Sequence, residues 1–227
     1  MSNLADNLLT VGASITKYAE HYQRKRKEIQ LLAVSKRHSM QKIEEAFNLG
    51  QKSFGENYVQ ELLEKAQQLS HLNIEWHFIG PLQSNKTKPI AETVDWVHTI
   101  DRLKVAERLN RQRPAGLPPI NVCIQVNISN EASKSGVLAN NVEALATEII
   151  KLPQLKLRGL MAIPAPQADL NKQREAFSKL TLLKHDLNKK AFQLDTLSMG
   201  MSADSEAAIA EGATIIRIGT SIFGTRK

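Results

Sequence analysis

The sequence predicts an α/β protein, a (β/α)8 TIM barrel of parallel strands with an extra amino-terminal helix. Two observations carry this expectation. Eight short runs rich in β-branched or aromatic residues alternate with seven segments whose apolar residues recur every three or four positions. The repeat is also short: eight units fit in about 200 residues, which favours a closed barrel over an open sheet.

The first helix is expected over about residues 4 to 27, with Leu8, Val11, Ile15, Tyr18 and Tyr22 on its apolar side. The cluster Arg24-Lys-Arg-Lys27 is placed to close it, since cations suit a helix carboxyl end. Leu31-Leu-Ala-Val-Ser-Lys36 reads as the first strand, buried by its apolar run. Ser39 can cap a helix bearing Met40, Ile43 and Phe47, which Gly50 stops. Ser53 to Glu56 is the second strand, and Val59, Leu62, Leu63, Ala66 and Leu69 line the helix behind it. The third strand is Glu75 to Gly80, followed by a short helix from Ser84 to about Glu92 that Pro89 weakens. Asp95 to Ile100 is the fourth, ending at Asp101, a suitable cap for the helix that carries Leu103, Ala106 and Leu109.

After a loop marked by Pro114, Gly116, Pro118 and Pro119, Ile120 to Ile128 gives the strongest strand signal in the chain. Val142, Leu145 and Ile149 line the helix after it, and Leu157 to Ile163 is the sixth strand. A long helix from about Asp169 to Lys190 keeps Phe177, Leu180, Leu183 and Leu187 on one face. Thr196 to Met199 and Thr214 to Ile218 complete the strands, separated by a helix of Ala207, Ala208 and Ile209 that ends at Gly212. No helix is expected after the eighth strand, so the amino-terminal helix is expected to cover the barrel there.

The repeat runs through the proline-rich loop unbroken, so residues 1–227 are read as one domain. A formal net charge of +7 permits attraction to phosphates, but bulk charge governs encounter rather than specificity. With 5% aromatics and no stacking motif, a nucleic-acid partner is not expected. Nor is a membrane partner, because no run approaches a membrane span and the start of the chain lacks the pattern of a signal peptide; a cytoplasmic location is expected. Cys123 cannot form an internal disulfide and reads as a small buried hydrophobe. A monomer is expected, since no long apolar stripe is left over once the barrel is built.

A barrel gathers its strand carboxyl ends on one face, where such folds place their chemistry. Lys36 stands there, either as a solvated lysine opening a loop or as an amine able to form an imine with a carbonyl ligand or to contact phosphate. Glu56 and Asn57 follow the second strand; His77, Gly80 and Gln83 belong to the third; Asn127, Lys134 and Gly136 to the fifth. Ser198-Met-Gly-Met-Ser202 and Arg217-Ile-Gly-Thr220 end the seventh and eighth. Ser202 at a helix start, with Gly219 and Thr220, reads as an anion site; an ordinary N-cap and a tight turn are the alternative. Barrel phosphate sites commonly form after these two strands. A lysine and a phosphate cradle on one face imply a phosphorylated aldehyde, and pyridoxal 5'-phosphate fits. An imine with Lys36 needs a neutral amine at the moment of attack, hence some desolvation or a cationic neighbour. Arg37 is turned away by strand alternation.

Ala33-Val-Ser-Lys36, Phe54-Gly-Glu-Asn-Tyr58, Trp76-His-Phe-Ile-Gly80 with Gln83-Ser-Asn-Lys86, Leu197-Ser-Met-Gly-Met-Ser202 and Arg217-Ile-Gly-Thr220 occur in this order along the chain. Together they resemble the YggS/PROSC family of pyridoxal phosphate homeostasis proteins. The resemblance implies the amino-terminal barrel of alanine racemase, a fold type III pyridoxal phosphate protein, with the cofactor held covalently on Lys36. It implies further that Ser202, Gly219 and Thr220 bind the phosphate, that Arg217 faces the pyridine nitrogen, and that Met199 belongs to the site. Asn57 and His77 are expected to line the ring pocket, His77 being open to a second reading as an ordinary core histidine.

The racemases carry a second, β-rich domain that supplies a catalytic tyrosine, whereas this chain is expected to stop at its barrel, with Lys36 the one acid/base in view. Cofactor binding without efficient turnover is therefore expected: buffering of pyridoxal phosphate, or delivery of it through transient contact with apo-enzymes that use it. The alternative is a weak amino-acid racemase or another enzyme using the same cofactor. Lys134 is a candidate transient acceptor, or a solvated loop lysine.

Overall fold

The structure, a computed structural model, describes residues 3–129 and 135–225. Its strands are β1 Gln30–Val34, β2 Ser53–Glu56, β3 Glu75–Phe78, β4 Trp96–Ile100, β5 Ile120–Gln125, β6 Leu155–Met161, β7 Thr196–Ser198 and β8 Ile215–Ile218. They pair in chain order, all parallel, and β8 returns to β1, with Gln30 to Ala33 set against Ile215 to Ile218. The expected eight-stranded barrel is thus the observed one.

Strand alternation sorts the side chains into two apolar bodies. Leu32, Val34, Ile79, Trp96, Cys123, Met161 and Ile215 form an inner cluster drawn from the strands and their ends. Their neighbours one position along, among them Ala33, Phe78, Val97, Val122 and Ile216, pack instead with Ile43, Leu62, Ile90 and Leu109 of the helices. Each large side chain so buried stabilises the fold by about 1.5–3 kcal/mol.

The helices are α1 Leu4–His21, α2 Met40–Asn48, α3 Val59–Gln68, α4 Thr87–Thr93, α5 Leu103–Gln112, α6 Val142–Ile149, α7 Leu170–Lys189, α8 Ser205–Ala210 and α9 Thr220–Phe223. Four local expectations are corrected. Helix α1 ends at His21 rather than near residue 27, because Gln23 takes φ +56° and turns the chain. Arg24 then donates to Ile209 O and Ala213 O, and Arg26 to Ile29 O, so these cations satisfy carbonyls beyond α1 instead of closing it. Asp101 does not cap α5; Arg102 holds that position and pairs with the Asp101 carboxylate. A short α9 does follow β8.

Helix α1 nonetheless covers the outside of the closure, as expected. It packs on α2, α8 and α9, burying Leu4, Val11, Ile15 and Ala19. Asn7 Nδ2 donates to Ile222 O of α9 at 2.8 Å. Pro89 fits in the first turn of α4, where backbone N–H groups have no partner in the helix. Among the described residues no helix is long and apolar enough to cross a membrane.

Candidate functional site

A cavity of about 290 Å³ opens at the carboxyl end of the barrel. Lys36 and Arg217 are the cations on its wall, Asn57, Ser202 and Thr220 its other polar side chains, and Gly219 brings backbone to it. Val34, Ile79 and Ile163 supply apolar surface.

Lys36 reaches this wall by alternation: Leu32 and Val34 face the barrel interior, and Lys36 continues that side past the end of β1. The residues flanking it are fastened to α3. Ser35 Oγ donates to Glu56 Oε1 at 2.6 Å, and Lys65 Nζ donates to Ser35 O at 2.8 Å. Lys65, itself buried, pairs with Glu56 at 2.7 Å and with Glu61 at 2.6 Å. Glu61 also accepts from the backbone N–H of Arg37, which has φ +61° and points outward to Tyr58 Oη. Glu56 therefore faces the helix layer rather than the mouth. Burial raises its carboxyl pKa, with Lys65 and Ser35 acting against that rise. The helix reading did not single out Lys65, although Leu62, Lys65, Ala66 and Leu69 share one stripe, and a lysine on an apolar stripe signals a buried partner.

Among the described wall residues Asn57 carries a buried acceptor that is not committed. Its Oδ1 is buried without a hydrogen-bond partner among the described residues. Gly80 makes its position possible, since a Cβ there would lie 2.0 Å from Asn57 O. Arg217 points inward from β8, where Nη1 donates to Ser198 Oγ at 2.8 Å and Nη2 to Ala162 O at 3.0 Å. Burial pulls its pKa down to about 10, which leaves it charged at neutral pH.

Ser202 lines the cavity but is not an N-cap. Asp204 holds that position in α8, and its carboxylate accepts from Met201 N. Gly219 is the cap residue of α9, accepting from Ile222 N and Phe223 N, and a Cβ on it would stand 3.1 Å from Val34 O.

Two expected pocket residues lie elsewhere. His77 is fully buried, stacked on Trp96 and bonded to Glu75 and His98 inside the barrel, and it is not on the cavity wall. Met199 follows the inward-facing Ser198, so alternation sends its side chain into the helix-facing core. Gln83 and Lys86 wall a neighbouring cavity with Tyr58 and Pro81. Asn127 binds Val137 O through its backbone N–H. Lys134 lies outside the described residues.

Comparison with known proteins places this geometry. Residues 13–227 match the model of the alanine racemase N-terminal domain family. A curated pyridoxal phosphate homeostasis protein of Pseudomonas aeruginosa is 55% identical over 226 residues, covering 100% of this chain and 97% of the relative. The protein of the same description from Escherichia coli is 52% identical over 229 residues, covering 100% and 98%. Structures of PipY from Synechococcus elongatus, without and with pyridoxal phosphate bound, match with TM-scores of 0.87 and 0.84 at 34% identity, over 98% of this chain and 100% of PipY. Alanine racemase of Clostridium difficile shares the fold, with a TM-score of 0.75 at 15% identity over 98% of this chain and 56% of the racemase. The chain belongs to the pyridoxal phosphate homeostasis proteins, within the alanine racemase N-terminal domain family.

Proposed function

We propose that this chain binds pyridoxal 5'-phosphate in the cavity at Lys36 and serves to buffer or deliver it, without efficient turnover. The observation that carries the reading is the convergence of Lys36, Arg217, Ser202, Thr220 and the unpartnered acceptor of Asn57 on one cavity. These residues fit the cofactor. The amine suits its aldehyde, the hydroxyls and the close approach at Gly219 suit its phosphate, and the buried Asn57 Oδ1 awaits a donor. When bound, pyridoxal phosphate supplies an electrophilic carbonyl and an electron-accepting ring. The relatives' shared description and the cofactor in PipY support the same reading.

In this reading Lys36 is the covalent tether, and its anchorage to α3 through Ser35 and Arg37 fixes where the amine stands. Arg217 faces the pyridine nitrogen. A guanidinium only donates, so it leaves that nitrogen unprotonated and the ring a poor electron sink. Racemisation needs an acid/base on each face of the substrate, and Lys36 and Arg217 are the only ionisable groups among the described wall residues. That composition favours holding over catalysis. The protein acts in the cytoplasm as a monomer, in transient contact with recipient apo-enzymes.

Borohydride reduction of the loaded protein followed by mass spectrometry is expected to find one pyridoxyl group, on Lys36. Lys36→Ala is expected to lose the visible absorbance while its circular dichroism is kept. A retained band, or a label on another lysine, defeats the assignment. Turnover of an amino acid approaching about 1 per second, an ordinary enzyme rate, defeats the non-catalytic part.

A further inference from the structure

The barrel interior holds a line of polar side chains that the cavity does not explain. Arg217 Nη1 lies 2.8 Å from Ser198 Oγ, Ser198 Oγ 2.7 Å from His98 Nδ1, and His98 Nε2 2.9 Å from His77 Nδ1; His77 Nε2 is bonded to Glu75 Oε1. Strands β8, β7, β4 and β3 supply the links. Arg217 lies on the cavity at the carboxyl end, whereas Glu75 begins β3 and lines another cavity, with Lys52 and Asp95, at the amino end. The Glu75 side chain is 39% exposed. The line therefore crosses the barrel from one mouth to the other.

With both imidazoles neutral, its two ends fix its direction. A guanidinium can only donate and a carboxylate can only accept. Ser198 accepts from Arg217 and donates to His98 Nδ1; His98 Nε2–H then donates to His77 Nδ1, and His77 Nε2–H to Glu75. Every link has one donor and one acceptor when both imidazoles are neutral and carry their proton on Nε2. His98 meets that condition: burial first, with the Arg217 charge acting in the same direction, holds its pKa well below 6.5. Asp95 faces Glu75 and His77 at the amino end, and burial raises its carboxyl pKa. Asp204 and Cys123 face Arg217, and burial pushes the Cys123 thiol up to about 12, so it stays neutral. Gln30 Nε2 donates to Glu75 beside His77. Buried polar groups are costly unless paired, and a fully paired network rigidifies what it holds.

We infer that His98 and Ser198 are positioning residues for Arg217, and that the line through His77 ties the orientation of this guanidinium to the charge on Glu75 at the opposite mouth. The consequence for the ring of the cofactor rests on the function proposed above. Glu75 lies below its ordinary carboxyl value, burial being outweighed by His77, Gln30 and Ser53. The terminal acceptor is thus charged at neutral pH and is lost only as acid protonates it.

In the cofactor-free protein, long-range ¹H–¹⁵N NMR at pH 7 is expected to show His77 and His98 neutral with the proton on Nε2, and Ser198→Ala to move the His98 Nδ1 resonance. A charge on either ring, or an Nδ1–H tautomer at either, overturns the inference. In protein loaded with pyridoxal phosphate, Ser198→Ala and His98→Phe are expected to shift the visible band and weaken retention roughly fivefold, as for one lost hydrogen bond. Borohydride should still label Lys36 in both. Glu75→Gln should remove the change of the band that wild type shows in acid. Bands, retention and acid profiles matching wild type, with Lys36 still labelled, sink the inference and leave the cofactor reading standing. An unlabelled Lys36 in wild type sinks both.

Discussion

At the scale of the residue, the site depends on groups that never touch the cavity. Gly80 is required by a close approach: a methyl there would collide with the Asn57 carbonyl and displace the one wall residue with an unpartnered buried acceptor. Gly80→Ala is expected to lose at least tenfold in cofactor affinity by equilibrium dialysis, more than the loss of one hydrogen bond explains. Lys65 works from beneath, holding Ser35 and Glu56. Lys65→Met leaves Glu56 buried and unpaired, so a loss of about 3–5 kcal/mol is expected in urea unfolding. A change below about 1 kcal/mol would show that Glu56 is neutral and the pair adds little. Lys36, Ser202, Arg217 and Thr220 were legible because a strand end announces its residues. Lys65 was not, because a helix stripe read for apolar residues passes over a lysine.

At the scale of the element, α1 carries out the task the repeat leaves open. Among the described residues α1 lies ahead of β1 and a four-residue α9 follows β8, and α1 packs on α8 and α9 outside the closure between β8 and β1. Ile15, buried at the middle of α1, is part of what fills that position. Ile15→Ala is expected to cost about 2–5 kcal/mol in chemical denaturation, the usual range for such a truncation in a core. A cost near zero would mean that α1 rests on the barrel without supporting it. The basic cluster after α1 shows why its end was misplaced by sequence. Periodicity and charge extend to Lys27, but Arg24 finds the carbonyls of Ile209 and Ala213, and tertiary bonds outweigh the weak preference of cations for a helix end.

At the scale of the whole molecule, pH acts through the barrel interior. His98 is buried and neutral in the folded protein, with its pKa well below 6.5, whereas in the unfolded chain it gains a proton near 6.5. Its folded pKa is depressed, so the contribution to stability is complete above pH 6.5 and declines as pH falls toward the folded value. Urea unfolding between pH 7 and 5 is expected to lose up to about 1.4 kcal/mol per pH unit below 6.5, and His98→Phe to flatten that slope. An unchanged slope in the variant would assign the effect to other groups.

The sequence by itself determined the barrel, the order of its strands and the carboxyl-end face, because period-2 and helical apolar patterns are local and repeat eight times. It also placed Lys36 and Arg217, since both stand on or just past a strand. What the tertiary structure alone decided is which side of each strand a polar residue takes and what it meets there. His77 and Met199 sit in motifs beside the site, yet barrel closure turned one into the interior line and the other toward the helices. The line from Glu75 to Arg217 joins residues up to 142 positions apart, a separation read from the numbering. No local pattern encodes it, because its five residues become neighbours only when β3, β4, β7 and β8 curve round one axis.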